Sequence, residues 1–218
     1  MKIGVIGSGE VGRALATGFL SRGDDVMLSA RDAKKKEIVE WASKAGSAKA
    51  RTGTFADAAT FGEVIVLATS WSGTEGALKL AGIERLAGKV VVDVTNPLDT
   101  SGGPPRLALG HSDSGGEQIQ RRLPKSKVVK AFNIINAALM VRPKFAGGPP
   151  DMFIAGNDAE AKAVVTQICT DFGWPTHDLG GIEGSRMLES LAMLWVTLGI
   201  RGLGWVHGFK LLRDGSGG

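Results

Sequence analysis

The residues best placed to do chemistry are Gly7-Ser8-Gly9-Glu10-Val11-Gly12, a GxGxxG loop. It follows the apolar run KIGVIG (2–7) and opens a helical pattern with Val11, Leu15, Phe19 and Leu20 on one face. In that context each glycine has a task. Gly7 permits a tight turn, Gly9 lets backbone approach a pyrophosphate, and Gly12 lets helix and strand pack closely. The helix would aim its free N–H groups and positive dipole end at the phosphates. The alternative is an ordinary glycine turn, because 32 of the 218 residues are glycine.

A second group lies in VMLSARDAKKK (26–36). NAD-selective sites place an acid at the end of the second strand, roughly 20 residues past the loop, to bind ribose hydroxyls. Here that place is held by Arg31. A carboxylate would repel the 2′-phosphate of NADP. A guanidinium attracts it, can bind it through two N–H groups and can stack on adenine. Ser29 or the backbone of Ala30 could add a hydrogen bond, and Lys35, one helical turn beyond Arg31, could close over the same phosphate. Asp32 is expected to cap the second helix, which would turn it away from the ribose. The residues therefore predict NADP(H) over NAD. The bland reading of Lys34-Lys35-Lys36 is a solvated helix face.

In doubly wound sheets, ligands bind beyond the carboxyl ends of the strands. The loops there are ATSWSG (68–73), VTNPLD (94–99) and KAFNIINAA (130–138). Thr69, Ser70 and Asn96, with Pro97 beside it, offer small polar contacts. Trp71 offers a flat apolar surface or a core position. Asn133 and Asn136 are ligands or simply pins for their loop. No catalytic residue is singled out: His111, His177 and His207 have no visible partner, and nothing distinguishes Glu189 or Lys130. Zinc spacing and a nucleophile elbow are missing. Reduction of a small carbonyl or imine calls for a positioned proton donor. Transfer between a nicotinamide and a flavin-like ring chiefly needs two stacked rings.

The elements that must position these residues read as alternating short strands and helices. Strand-like runs are KIGVIG, DVMLSA (25–30), EVIVLAT (63–69) and KVVVDVT (89–95). Helical ones are 10–23, 32–46, 55–62 and SGTEGALKLAG. This predicts an α/β chain of Rossmann type, a doubly wound, mostly parallel sheet with C-terminal helices. NPLDTSGGPPRLALGHSDSGG (96–116) reads as a long loop, a candidate lid. Beyond it come a helix (EQIQRRL), strands at 127–133 and 151–156, a helix at 158–172, a strand near Pro175 to His177, and apolar helix from Ile182. The expected division is an NADP-binding domain at 1–180, a helical dimer-contact region at 181–213 and a flexible tail at 214–218.

A net charge of +4 suits phosphate binding, and no basic, aromatic-interleaved stripe points to nucleic acid. The longest apolar stretch, 188–206, is broken by Glu189 and Arg201 and is too short for a membrane span. One cysteine, Cys169, suggests a reducing, cytoplasmic setting and a small core residue. With only Met1 ahead of the first strand, no signal peptide is expected.

Several segments resemble the NADPH-dependent reductases of the coenzyme F420 family and the oxidoreductase domain of the six-transmembrane ferric reductases. They are KIGVIGSGEVGRALA, the SAR strand end with Lys35, ATSW, DVTNPLD, GGEQIQRRLPKSKVVKAFN and ESLAMLWVTLGIRGLGWVHGFKLLR. The resemblance implies that Ser8 to Val11 line the pyrophosphate and that Arg31 and Lys35 hold the 2′-phosphate. It implies that Thr69, Ser70 and Asn96 face the ribose and nicotinamide, with Ala137 near the nicotinamide amide. It also implies pairing of two subunits through C-terminal helices, and hydride exchange between NADP(H) and a flavin or deazaflavin. Ala30 stands where members often carry Ser, and Asn133 where deazaflavin-specific members carry His. F420, FMN and FAD all stay open as second substrate. The other readings are a dehydrogenase of a small carbonyl or imine, and a non-catalytic NADP sensor.

Overall fold

The computed structural model describes residues 1–212 and Asp214. The tail expected at 214–218 lies, beyond Asp214, outside the described residues. The elements run β1 (Lys2–Ile6), α1 (Glu10–Arg22), β2 (Asp25–Ala30), α2 (Lys36–Ala45), β3 (Ala50–Thr54), α3 (Phe55–Phe61), β4 (Val64–Leu67), α4 (Trp71–Ala81), α5 (Ile83–Leu86) and β5 (Val90–Asp93). A two-strand ribbon follows, β6 (Leu98–Asp99) with β7 (Arg106–Leu107), then α6 (Gly115–Arg122), β8 (Lys127–Lys130), β9 (Met152–Gly156), α7 (Ala159–Asp171), β10 (Thr176–Asp178) and α8 (Ser185–Leu198).

Eight strands form one sheet in the order β10-β9-β8-β5-β4-β1-β2-β3. Every neighbouring pair is parallel except β8 with β9. The chain order reverses between β1 and β4, and this switch point opens a crevice at their carboxyl ends. The inner strands carry near-continuous Val and Ile because helices cover both faces. One apolar layer includes Val5, Leu15, Phe19, Leu28, Val66 and Val129, and the other Ile6, Ile65, Leu67, Leu78, Val91 and Val128. The predicted doubly wound sheet is thus present.

Four details differ from the expectations. β3, with sequence ARTGT, escaped the periodicity reading because it is the sheet's edge, where only Gly53 is buried. α2 starts at Lys36 rather than Asp32, and Lys35 is its N-cap residue. Residues 96–116 are not structureless: the ribbon is tied by Arg106, whose Nε and Nη2 donate to Asp99 Oδ2 at 3.0 and 2.7 Å. The helical region projected to residue 213 ends at Leu203, after one π turn in which Gly202 takes φ 107°. From Gly204 the chain folds back along Pro149–Asp151, with Asp151 N–H donating to Phe209 O at 2.8 Å.

Candidate functional site

The glycine loop is built as its spacing requires. Gly7 sits at φ 124°, and a Cβ there would overlap the carbonyl of Ala68 after β4. A Cβ on Gly12 would overlap Gly7 O, so the close approach of α1 to β1 demands glycine. At Gly9 a Cβ would meet nothing within 4 Å. Its face is open, which leaves room for a ligand to reach the backbone there. Gly9 is the N-cap of α1 and no side chain caps that end, so the first N–H groups of a 13-residue helix point into the crevice. The residues present fit a dinucleotide pyrophosphate.

At the end of β2, Arg31 is exposed and makes no ion pair or side-chain hydrogen bond among the described residues. Lys35 does not pack one turn along a helix from Arg31. From the N-cap position its Nζ reaches Ser8 Oγ at 3.1 Å, with Glu37 Oε1 3.7 Å away. Lys35 and Arg13, whose Nη1 donates to Ser8 O at 2.6 Å, therefore both meet the glycine loop, while Arg31 stands exposed just past the end of β2. Asp32 does not cap α2; its Oδ1 accepts from the N–H of Lys34 at 2.8 Å, within the turn. Ser29 is turned away, donating to Val5 O at 2.6 Å, and Ala30 is buried, so it can offer backbone only.

Beside the loop lies a cleft of about 490 Å³. The structure brings Gly9, Glu10, Val11, Thr69, Ser70, Trp71 and Asn96 together around it, as the sequence suggested, and adds Thr95 and Thr100. Thr69 Oγ1 lies 2.8 Å from Thr74 Oγ1, which orients its hydroxyl. Pro97, Asn133 and Ala137 are not part of this lining. Pro97 is buried and its carbonyl accepts from Ala108 N–H at 2.7 Å. Asn133 pins loops: its Nδ2 donates to Asn96 Oδ1 and to Leu188 O, both at 3.0 Å, and Asn96 Nδ2 returns a bond to Asn133 O at 2.7 Å. Phe132, at φ 58°, makes the bend that turns Asn133 toward Asn96. Ala137 borders a separate groove of about 690 Å³ against Arg13, Thr17 and Trp41. That hollow is larger; it runs between α1 and α2, and its Arg13 also touches the glycine loop.

The histidines stand apart from the cleft. His111 is exposed, His177 packs on Phe153 near Asp151, and His207 stacks on Trp195 with ring centroids 4.8 Å apart. Cys169 is a core residue whose thiol is pushed up to about 12 by burial.

The feature missed in the sequence lies behind the cleft. Asp93 and Lys130 are register partners at the ends of β5 and β8, and both are wholly buried. Lys130 Nζ is 2.8 Å from Asp93 Oδ2, 2.8 Å from Thr95 O and 2.7 Å from Glu189 Oε1 on α8. Burial acts to lower the Lys130 pKa, but the two carboxylates outweigh it and hold the ammonium above its ordinary value. The legible signal was one acid and one base closing two otherwise apolar strands, in KVVVDVT and KVVKAFN.

Comparison with known proteins bears on this arrangement. A family model described as NADP oxidoreductase coenzyme F420-dependent matches residues 2–97. The F420-dependent NADP reductase of Methanocaldococcus jannaschii is 33% identical over 216 residues, covering 92% of this chain and 93% of that protein. The metalloreductase STEAP3 of Rattus norvegicus is 30% identical over 193 residues, 88% of this chain; the match spans only 36% of that protein's length. A crystal structure of a putative F420-dependent NADP-reductase from Arthrobacter sp. FB24 superposes with a TM-score of 0.92 at 40% identity, covering 98% of this chain and all of that one. A shared nucleotide loop alone would leave kinship open, but the likeness runs from β1 through α8, and the chain belongs to the coenzyme F420-dependent NADP oxidoreductase family.

Proposed function

We propose that this protein is an NADP(H)-dependent oxidoreductase that exchanges hydride between the dinucleotide and a deazaflavin of the F420 type, or a flavin such as FMN or FAD. The observation that carries this reading is the free guanidinium of Arg31 at the end of β2, where an NAD-selective site has a carboxylate. With Lys35 it would hold the 2′-phosphate. The backbone from Gly7 to Gly12 would cradle the pyrophosphate. The cleft bounded by Thr69, Ser70, Trp71, Thr95 and Asn96 would take the nicotinamide end. Bound NADPH supplies a hydride, and the acceptor ring takes up that hydride with one proton from solvent.

Among the described residues the cleft lining offers hydroxyls, the Asn96 carboxamide and the Glu10 carboxylate, with no imidazole, thiol or amine. That inventory suits two rings held in contact better than a reaction needing a dedicated proton donor on its leaving atom. The M. jannaschii relative, named for F420, favours the deazaflavin. In the same reading α8 and the turn after it pair two subunits, because Met187, Leu194, Ile200 and Leu203 leave their apolar side chains exposed.

The test is NADPH oxidation followed with F420, FMN, FAD, ferric chelates and simple carbonyls in parallel. Turnover with F420 or a flavin, and little with the rest, is the expected outcome. Turnover confined to carbonyls, or tight NADPH binding without turnover, would replace this reading with one of the alternatives.

A further inference from the structure

We infer that Lys130 and Glu189 are positioning residues: the buried Asp93–Lys130–Glu189 triad fixes two walls of the cleft and so sets the pose of the reacting ring. The inference rests on the cleft being the nicotinamide end.

One wall is Thr95. Its N–H and its hydroxyl both donate to Asp93 Oδ1, at 2.9 and 2.7 Å, and its carbonyl accepts from Lys130. Three hydrogen bonds to two buried ions leave this residue no freedom of its own, and it faces the cleft. The neighbouring Asn96 is locked in turn by Asn133.

The second wall is Trp71, which lines the same cleft. Its ring rests on Gly115, where a Cβ would stand only 3.1 Å from Trp71 Cζ3. Gly115 begins α6, and its N–H donates to Glu189 Oε2 at 2.9 Å while that of Gly116 donates to Glu189 Oε1 at 3.0 Å. A carboxylate from α8 thus caps α6, and the surface under the tryptophan is set by α8. Lys130 joins this cap to the Thr95 wall through a single ammonium. All three of its donor directions are used, on Asp93, Thr95 and Glu189.

Energetics argue for geometry as the benefit. A buried ion triad is commonly no more stable than well-packed apolar residues of similar volume, because desolvation cancels the attraction. An apolar trio here would give Thr95 no fixed partners and leave the N–H groups of Gly115 and Gly116 unmet. The triad's distinctive product is a fixed spacing between Thr95 and Trp71.

Glu189→Gln tests this most gently, since Lys130 keeps Asp93 and one N–H keeps an oxygen acceptor. Three quantities are read on the full-length protein: the NADPH dissociation constant, kcat with the acceptor found above, and the fluorescence polarisation of bound NADPH, which reports nicotinamide mobility without any acceptor. Affinity should stay near wild type, because the phosphate contacts are untouched. kcat should fall by about 10–100-fold, the cost of a small misplacement of reacting groups, and polarisation should drop. Unchanged kcat and polarisation, with only a lower melting temperature, would make the triad purely structural and overturn the inference. Should Glu189→Gln not fold, the double variant Lys130→Met/Glu189→Gln removes one charge of each sign and is read in the same way. If wild type binds NADPH but reduces no acceptor, the proposed activity fails, while the polarisation comparison still decides the role of the triad.

Discussion

The ammonium of Lys35 meets the hydroxyl of Ser8 at 3.1 Å, joining the start of α2 to the glycine loop 27 residues away. The contact puts a positive charge beside the glycine loop, the proposed phosphate site. Lys35→Met should therefore weaken NADPH by about 1 kcal/mol, a charge-assisted contact discounted because the side chain is 46% exposed. NADH, which shares the pyrophosphate but lacks the 2′-phosphate, should lose less. Fluorescence titration with both dinucleotides checks this, and the loss should shrink at high salt.

Gly9 and Gly12 separate binding from folding. A Cβ at Gly9 would meet nothing within 4 Å, and its φ of −67° is ordinary for any residue. Gly9→Val should leave the melting temperature near wild type and abolish binding of both dinucleotides. Gly12→Ala should instead destabilise the fold by about 1–3 kcal/mol through overlap with Gly7 O. Thermal unfolding and titration of the two variants make the comparison, and a Gly9→Val protein that still binds would count against the loop as the pyrophosphate site.

Glu117 and Arg186 give a pH prediction. Hydrogen bonds from the Arg186 guanidinium outweigh burial and, with the Ser114 hydroxyl, hold the Glu117 carboxyl below its usual value. A depressed folded-state pKa stabilises fully above the ordinary glutamate value, and that stability is lost as pH falls through the folded value. Glu117→Gln should cost about 1 kcal/mol near neutral pH. The gap to wild type should narrow as pH falls below the carboxylate range, as measured by denaturant unfolding at a series of pH values.

The exposed apolar side chains of Met187 and Leu194 lie two turns apart on α8. Sedimentation should report a dimer, and Leu194→Glu should shift it toward monomer without loss of secondary structure. A monomeric wild type at micromolar concentration would remove the pairing proposal.

Much of this was readable in the chain because local rules sufficed. The glycine loop declares itself by lying between an apolar strand and a helix, and Arg31 by closing the next strand. Competition between a local turn and a helix cap was not readable, nor were interactions between segments distant in sequence. Asp32 looked like a cap, yet the turn from Asp32 to Lys35 takes its carboxylate and delays the helix to Lys36. Nothing local announces that Glu189 will cap a helix that begins at Gly115, or that Lys130 will be buried between two acids. β3 was hidden for a different reason: an edge strand with one exposed border needs little apolar patterning.

The central claim is that a cationic pocket at the adenosine end reads the 2′-phosphate. Its most direct test is the dissociation constant of NADPH and of NADH, measured at one ionic strength on wild type and on Arg31→Ala. Wild type should favour NADPH, and the substitution should weaken NADPH by about 1–3 kcal/mol while sparing NADH. A wild-type preference for NADH, or equal losses for the two dinucleotides, would contradict it.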